Sequence, residues 1–323
     1  MAMIEFNKGG KILISMIMLT HNRKYFVEQM IEDVLNQSYT NFEYIIVNNG
    51  SADGTDLILS KYAQLDNRIK IVTLRQAASI GKGRNIGLRY ANGEFVTYVD
   101  DDDRIEKNYL EFLYKLITDT DADIAMCGCD EFRGDVISPQ CVFNERLELT
   151  GEEAVLLLLE RKKIRAGMPT KLFRKDILLN YPFVEDCKSE DAHTAYKYFA
   201  SAKKVIIHGL PNYHIRRHNE NNSSFTSDFS KWTQDLLNEY LQLYKERTCY
   251  LIDKFPEHEA FFRYTELSFK LSMCDKIITN SLSDCERELD EMLWDLKNNK
   301  DELISSIYLK QDEKEKLKKI VTA

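Results

Sequence analysis

The sequence predicts an α/β protein: a mostly parallel sheet flanked by helices, followed by a C-terminal helical region. Three observations carry this. Up to about residue 129, short β-branched apolar runs alternate with stretches whose apolar residues recur at intervals of three and four. Gly93 to Val99 reads as a strand covered on both faces, and it stops at four consecutive carboxylates, Asp100 to Asp103. From about Asp228 only the helical period remains, as in a small bundle. The expected boundaries are 1–226 for the α/β domain, with halves at 10–130 and 131–226, and 227–323 for the helices.

In order, Met1 to Gly10 reads as a ragged lead-in. Ile12 to Leu19 is a first buried strand, ending in the polar loop Thr20-His21-Asn22-Arg23. A helix carries Phe26, Met30, Ile31, Val34 and Leu35 at helical spacing. Phe42 to Val47 is the second strand, closed by Asn48-Asn49-Gly50-Ser51-Ala52-Asp53-Gly54. A helix with Leu57, Ile58, Leu59 and Tyr62, a strand at Ile69 to Leu74 and a short helix at Gly81 to Ala91 follow. After the aspartates come a helix through Tyr109, Phe112, Leu113, Leu116 and Ile117 and a fifth strand at Ile124 to Cys129. Arg133 to Leu149 reads as a hairpin or excursion, Gly151 to Arg161 as a helix, and Val205 to Ile207 as a short strand. Glu190-Asp191 opens another helix, through Ala195, Tyr198 and Phe199. The tail reads as helices at Trp232 to Lys254, Glu257 to Thr279, Asp284 to Lys297 and Asp301 to Val321.

Composition narrows the function. The 323 residues carry a formal net charge of −8, against the basic face of a nucleic-acid binder. The seven cysteines are odd in number and lack CxxC pairs, which argues against a disulfide framework or a zinc site. No apolar run reaches the length of a transmembrane helix, and Lys11 to Leu19 lacks a following cleavage site, so neither a membrane span nor a signal peptide is expected. Gly81-Lys82-Gly83-Arg84-Asn85-Ile86-Gly87 has a GxGxxxG look, but it does not follow the first strand and no ribose-binding acid sits at the expected offset. A nicotinamide-dependent oxidoreductase is therefore not expected.

The aspartate run is the chemical signal. Four adjacent carboxylates repel unless a cation compensates them. Oxygen-only ligands favour magnesium, manganese or calcium, and the carboxyl ends of strands in open α/β sheets are where ligands sit. The plain alternative is a capped helix start, for which one or two aspartates would serve.

Four segments in this order and spacing resemble the nucleotide-sugar-binding half of a family 2 glycosyltransferase of the GT-A (Rossmann-like) fold. They are Ile17 to Arg23, Phe42 to Thr55, Arg84-Asn85-Ile86-Gly87-Leu88, and Gly93 to Asp103. A fainter match runs through Lys171-Leu172-Phe173-Arg174, Glu190-Asp191 and Tyr213 to Ser224 and would make 131–226 the acceptor-side half. The helical tail is not covered.

The resemblance implies site residues. The DxD element falls on Asp100 and Asp102, with Asp102 as ligand of a divalent Mn2+ or Mg2+ and Asp100 facing the ribose or donor sugar. Asp101, also expected against the donor, would be a ligand only in the other register, with Asp103. Arg84 would lie near the diphosphate and Asp100. Thr20, His21 and Asn22 would line the base pocket. Asn49 stands where an aspartate is common, which leaves UDP as the first choice of nucleotide with GDP, CDP and dTDP open. Asp191 would be the general base of an inverting transfer. His214, Arg216, Arg217 and His218 offer a diphosphate clamp.

Read on this basis, the chain is a metal-dependent hexosyltransferase. It would move sugar from a nucleotide-diphosphate donor to a glycan, lipid-linked or protein-linked acceptor in bacterial cell-surface polysaccharide synthesis. The expected location is cytoplasmic, at the inner face of the membrane where the acceptor is lipid-linked. The tail helices offer a surface for a homodimer or for peripheral membrane contact. The competing reading is a nucleotide-sugar-binding partner or scaffold subunit that has lost transfer, motivated by Asn48-Asn49. A nucleotidyltransferase would carry a glycine-rich basic loop, which His21-Asn22-Arg23 does not resemble.

Overall fold

The structure, a computed structural model, describes residues 12–218 and 228–322. The chain divides into two compact units, Met1–Arg217 and His218–Ala323. The boundary expected at 226/227 lies outside the described residues, as does the lead-in Met1 to Gly10.

The first unit begins with the predicted alternation. Its elements are β1 (Ile14–Thr20), α1 (Val27–Leu35), β2 (Phe42–Asn48), α2 (Thr55–Leu65), β3 (Ile69–Thr73), α3 (Ile80–Tyr90), β4 (Phe95–Asp100), β5 (Arg104–Ile105), α4 (Tyr109–Thr120) and β6 (Ile124–Arg133). Then follow β7 (Val136–Pro139), β8 (Arg146–Leu149), α5 (Gly151–Glu160), β9 (Lys171–Arg174), α6 (Lys175–Asn180), α7 (Glu190–Ser201) and β10 (Val205–Arg216). β1 and β2 are buried almost throughout, as their unbroken apolar runs require. Each fully buried Ile, Val or Leu in such a strand contributes roughly 1.5–3 kcal/mol.

The strands form one mixed sheet, ordered β3-β2-β1-β4-β9-β6-β10-β5, with β7 on β6 and β8 on β10. β3, β2, β1 and β4 run parallel, as do β6 and β10. β9 joins the two groups and is antiparallel to both β4 and β6. Its four residues carry too little periodicity to be read as a strand from sequence. The excursion after Arg133 resolves into β7 and β8, each antiparallel to its neighbour. β10 is longer than the expected Val205 to Ile207. Its register shifts between His208 and Pro211 and again before Tyr213, around Gly209 and Pro211, which break the sequence pattern without ending the strand.

Register aligns the strand ends that matter. Thr20 pairs with Asn48 and Leu19 with Asp100, so β1, β2 and β4 finish at one edge. α3 packs unusually close beneath that edge. A Cβ on Gly83 would meet Leu19 Cδ1 at 2.4 Å, and one on Gly87 would meet Ile17 Cγ2 at 2.5 Å. The glycines that resemble a dinucleotide loop thus serve helix-on-strand packing.

The second unit is helical: α8 (Gln234–Lys254), α9 (Glu259–Asn280), α10 (Glu286–Asn298), α11 (Lys300–Ser305) and α12 (Gln311–Thr322). The single helix expected over Asp301 to Val321 is two, separated at Ser306 to Lys310. α12 starts where Glu313 accepts the Lys310 N–H (2.9 Å) and the Tyr264 hydroxyl (2.8 Å). Trp232, Leu267, Leu271, Met292, Leu296 and Leu317 are among its core residues.

Candidate active site

The loops after β1 and β2 are joined into one wall. The Arg23 N–H donates to Thr55 Oγ1 (2.9 Å), Lys24 N–H to Asp53 Oδ2 (3.1 Å), Asn22 N–H to Ser51 Oγ (3.0 Å) and Ala52 N–H to Asn22 Oδ1 (2.8 Å). Asn22 takes a left-handed conformation (φ 53), which asparagine tolerates better than most residues. His21 is exposed, with Nδ1 2.7 Å from the Asn49 carbonyl and Nε2 beside Asn22. Thr20 is buried. Asn49 is buried too, and its amide is committed: Oδ1 accepts from the Ala78 N–H (2.7 Å) and Nδ2 donates to the Ala78 carbonyl (2.9 Å). It braces the segment leading into α3.

The aspartates alternate. Asp101 and Asp103 are buried, whereas Asp102 is half-buried and the Asp100 side chain is 46% exposed. Asp101 turns inward, 3.5 Å from Arg23 Nε. Asp103 accepts the Tyr213 hydroxyl (2.8 Å) and the Arg216 N–H (2.8 Å), and the same Tyr213 oxygen accepts the Asp100 N–H (3.1 Å). Asp103 therefore anchors the turn and does not cap α4.

Burial pushes the Asp101 carboxyl up to about 7, the neighbouring Asp102 adding to it and the Thr20 hydroxyl and Arg23 opposing. Partial burial raises Asp100 as well, with Asp102 and Asp191 adding and Arg84 opposing. Burial raises Asp103 well above the usual carboxylate range, with Asp100 and Asp102 adding. The turn is thus short of positive charge, and its donors are oxygens only. That set fits a hard divalent cation. Among the described residues, no three of these carboxylates bring oxygens within 4.8 Å of one another. Such a donor set suits an ion that takes one or two protein carboxylates and completes its shell with phosphate and water.

α3 ties this turn to the head of α7. Arg84 Nη1 lies 2.5 Å from Glu190 Oε1, and Nη2 lies 3.5 Å from Asp100 Oδ1. Next along α3, Asn85 donates to the Phe183 carbonyl (2.9 Å) and accepts the Phe183 N–H (2.9 Å), pinning the chain that enters α7. Gly81 lets that chain in, since a Cβ there would stand 2.2 Å from the Val184 carbonyl oxygen. Burial lifts Glu190 to about 7 despite Arg84, and Asp191 adds to the rise. Asp191 is half-buried, one carboxylate oxygen accepting the Ala192 N–H (2.7 Å). Arg84 is raised by Glu190, Asp100 and Asp191 against burial, so it stays charged throughout.

The expected clamp residues have protein partners. Arg216 Nε donates to the Asp102 carbonyl (2.7 Å) and Nη2 to Gln29 Oε1 (2.6 Å). His214 lies 2.7 Å from Asp130 Oδ1 and 3.2 Å from Glu106 Oε1, and Arg217 pairs with Glu131. His218 opens the second unit. Residues 219–227, including Asn219 to Ser224 of the fainter match, lie outside the described residues. Tyr213, Asn85 and Glu190 lie in segments that carry the resemblance, but the sequence alone assigns none of them a role of its own. The available signals were an aromatic residue inside a basic run, an asparagine after Arg84 and a second acid beside Asp191.

Residues 15–175 match the family model described as Glycosyl transferase family 2. Glycosyltransferase GlyG of Streptococcus pneumoniae serotype 4 is 26% identical over 242 residues, covering 70% of this chain and 77% of GlyG. Staphylococcus aureus TarS, a poly(ribitol-phosphate) beta-N-acetylglucosaminyltransferase, is 30% identical over 199 residues, 60% of this chain but 33% of TarS. The crystal structure of S. aureus TarS 1–349 in complex with UDP-GlcNAc is similar with a TM-score of 0.65 at 21% identity, over 96% of this chain and 79% of that one. Mannosyltransferase PcManGT from Pyrobaculum calidifontis, in complex with GDP-Man and Mn2+, gives 0.56 at 14% identity, over 96% and 84%. At these identities the two structures establish a shared fold, the GT-A fold. The chain belongs, through residues 15–175, to glycosyl transferase family 2.

Proposed function

We propose that this glycosyltransferase is an inverting, divalent-metal-dependent enzyme. It takes sugar from a nucleotide-diphosphate donor, a UDP-sugar first, and passes it to a hydroxyl of a glycan, lipid-linked or protein-linked acceptor in cell-surface polysaccharide synthesis. The observation that carries this is Arg84, which joins the open Asp100 to the head of the helix that bears Asp191. TarS supplies the UDP-sugar precedent and PcManGT the manganese precedent. A lipid-linked acceptor would put the work at the cytoplasmic face of a membrane. No helix among the described residues is long and apolar enough to cross one.

Each residue has a role in this account. Asp102 would hold the cation, with Asp100 toward the donor sugar or ribose. When bound, the cation offsets the charge that builds on the leaving diphosphate. Arg84 adds a fixed positive charge between donor and base. Asp191, near the N-terminus of α7, takes the acceptor hydroxyl proton as the oxygen attacks the anomeric carbon. The bond from that carbon to the diphosphate oxygen breaks in the same displacement, inverting the centre. His21, Asn22 and Thr20 form the wall beside the base, and Asn49 shapes that wall through Ala78.

A thermal-shift screen of UDP, GDP, CDP and dTDP with and without manganese tests this, followed by an assay of sugar release from the matching donor. The expected result is one nucleotide that stabilises only with metal, and metal-dependent release. Stabilisation by a nucleotide with no release from any matching donor would favour the inactive binding partner. No nucleotide effect at all would overturn both.

A further inference from the structure

Lys171 opens β9, between β4 and β6, and is 1% exposed. A buried ammonium is costly unless it is well paired. Its hydrogen bonds go to two backbone carbonyls, Gly167 and Pro169, the second at 3.3 Å. The titratable groups that face it are Cys127 and Cys129 on β6, Cys141 beyond β7, and Asp191 on α7. Burial pushes the amine down to about 8, and those four groups favour its charge. An apolar side chain of similar size would fill the place without that penalty. What the ammonium adds is a grip on one loop.

That loop runs from α5 to β9. It contains Thr170 in the left-handed region (φ 76), a conformation that persists only where the surroundings over-determine it. The Thr170 carbonyl accepts the Cys127 N–H at 3.0 Å. Gly167 stands beside Asp191: a methyl group added there would sit 3.9 Å from Asp191 Oδ2. The loop gripped by Lys171 is therefore a wall of the space next to that carboxylate.

We propose that Lys171 is a positioning residue for sugar transfer. Through the carbonyls of Gly167 and Pro169 its ammonium holds the 167–170 loop against Asp191 and so fixes where an acceptor hydroxyl can approach. The role rests on Asp191 as the base. Lys171 itself touches no substrate.

The test is Lys171→Met, which keeps the length of the side chain without its charge. Two measurements are made on the full chain: amide hydrogen exchange, and UDP release from UDP-GlcNAc with manganese. Exchange at residues 165–170 and 190–193 should rise roughly tenfold or more with β4 and β6 unchanged, and UDP release should fall by a similar factor at unchanged UDP affinity. In the wild type the same loop should loosen as pH rises through about 8, after correction for intrinsic exchange. Unchanged exchange in the loop, or equal loosening of β4 and β6, would overturn the proposal. If Lys171→Met does not fold, Lys171→Gln, too short to reach both carbonyls, is measured in the same way: selective loosening of the loop supports the role and its absence rejects it. The exchange measurement decides whichever sugar the enzyme prefers. Asp191→Asn assayed alongside separates the two ideas, since normal release there removes the base but leaves the exchange result standing.

Discussion

Arg84 Nη1 and Glu190 Oε1 are 2.5 Å apart, although the two residues are separated by 106 positions in the chain. The pair is buried, and the other nitrogen of the same guanidinium reaches toward Asp100. One side chain therefore fixes the distance between the aspartate turn and the head of α7. Its planar fork allows this, and a point-like ammonium would not reproduce it.

Removing that fork should destabilise the protein in a pH-dependent way. Arg84→Met leaves the buried Glu190 without its counter-charge, at a cost of about 3–5 kcal/mol near neutral pH. Glu190 already has a folded-state carboxyl raised to about 7, so its contribution is fully present below the ordinary carboxylate range and lost as pH rises through 7. Without Arg84 the carboxyl rises further. The deficit relative to wild type should therefore be larger at pH 8 than at pH 5.5, as read by urea unfolding at both values. Equal deficits would contradict the ion pair.

Tyr213→Phe should loosen the aspartate turn. The hydroxyl serves Asp103 and the Asp100 N–H together. Its loss should cost about 1–3 kcal/mol of stability, since the Asp100 N–H loses its acceptor and Asp103 keeps only the Arg216 N–H. Manganese-dependent nucleotide affinity should fall roughly tenfold or more through the misplaced turn. Calorimetric titration of UDP with manganese checks the second effect, and unchanged affinity would show that the turn holds without Tyr213.

Glu43, far from the chemistry, offers a stability control. Burial alone would raise its carboxyl, but Lys70, the Ser15 hydroxyl and the Asn92 N–H and amide hold it down to about 2. A depressed carboxyl stabilises the fold above its unfolded value near 4.5, and that stability is lost as pH falls from there toward 2. Lys70 is half in water, so the pair itself adds little. Glu43→Gln should cost about 1–3 kcal/mol at pH 7, and the gap to wild type should close through that window in denaturant melts. A gap that persists at pH 2 would point to packing instead.

Much of the parallel half was legible in the sequence, because β1, β2 and β4 are buried on both faces and stop sharply at polar residues. The aspartate run announced itself by having more charge than a helix cap needs. β9 was illegible because four residues give no period, and because its buried Lys171 looks like a surface residue. β10 was cut short by Gly209 and Pro211, which make an irregularity and not an end. The jobs of Arg216 and His214 were hidden for another reason. Their partners, Asp102, Gln29, Asp130 and Glu106, are distant in the chain, and charge patterning shows the cations without showing what they face.

Paired binding and turnover measurements on Asp102→Asn and Asp191→Asn test the central claim most directly. Wild type should bind its nucleotide with manganese and release sugar. Asp102→Asn should lose the metal-dependent part of binding, while Asp191→Asn should bind normally yet turn over roughly 10²-fold or more slowly. Near-normal turnover in Asp191→Asn, or nucleotide binding in Asp102→Asn with full manganese dependence, would contradict the account.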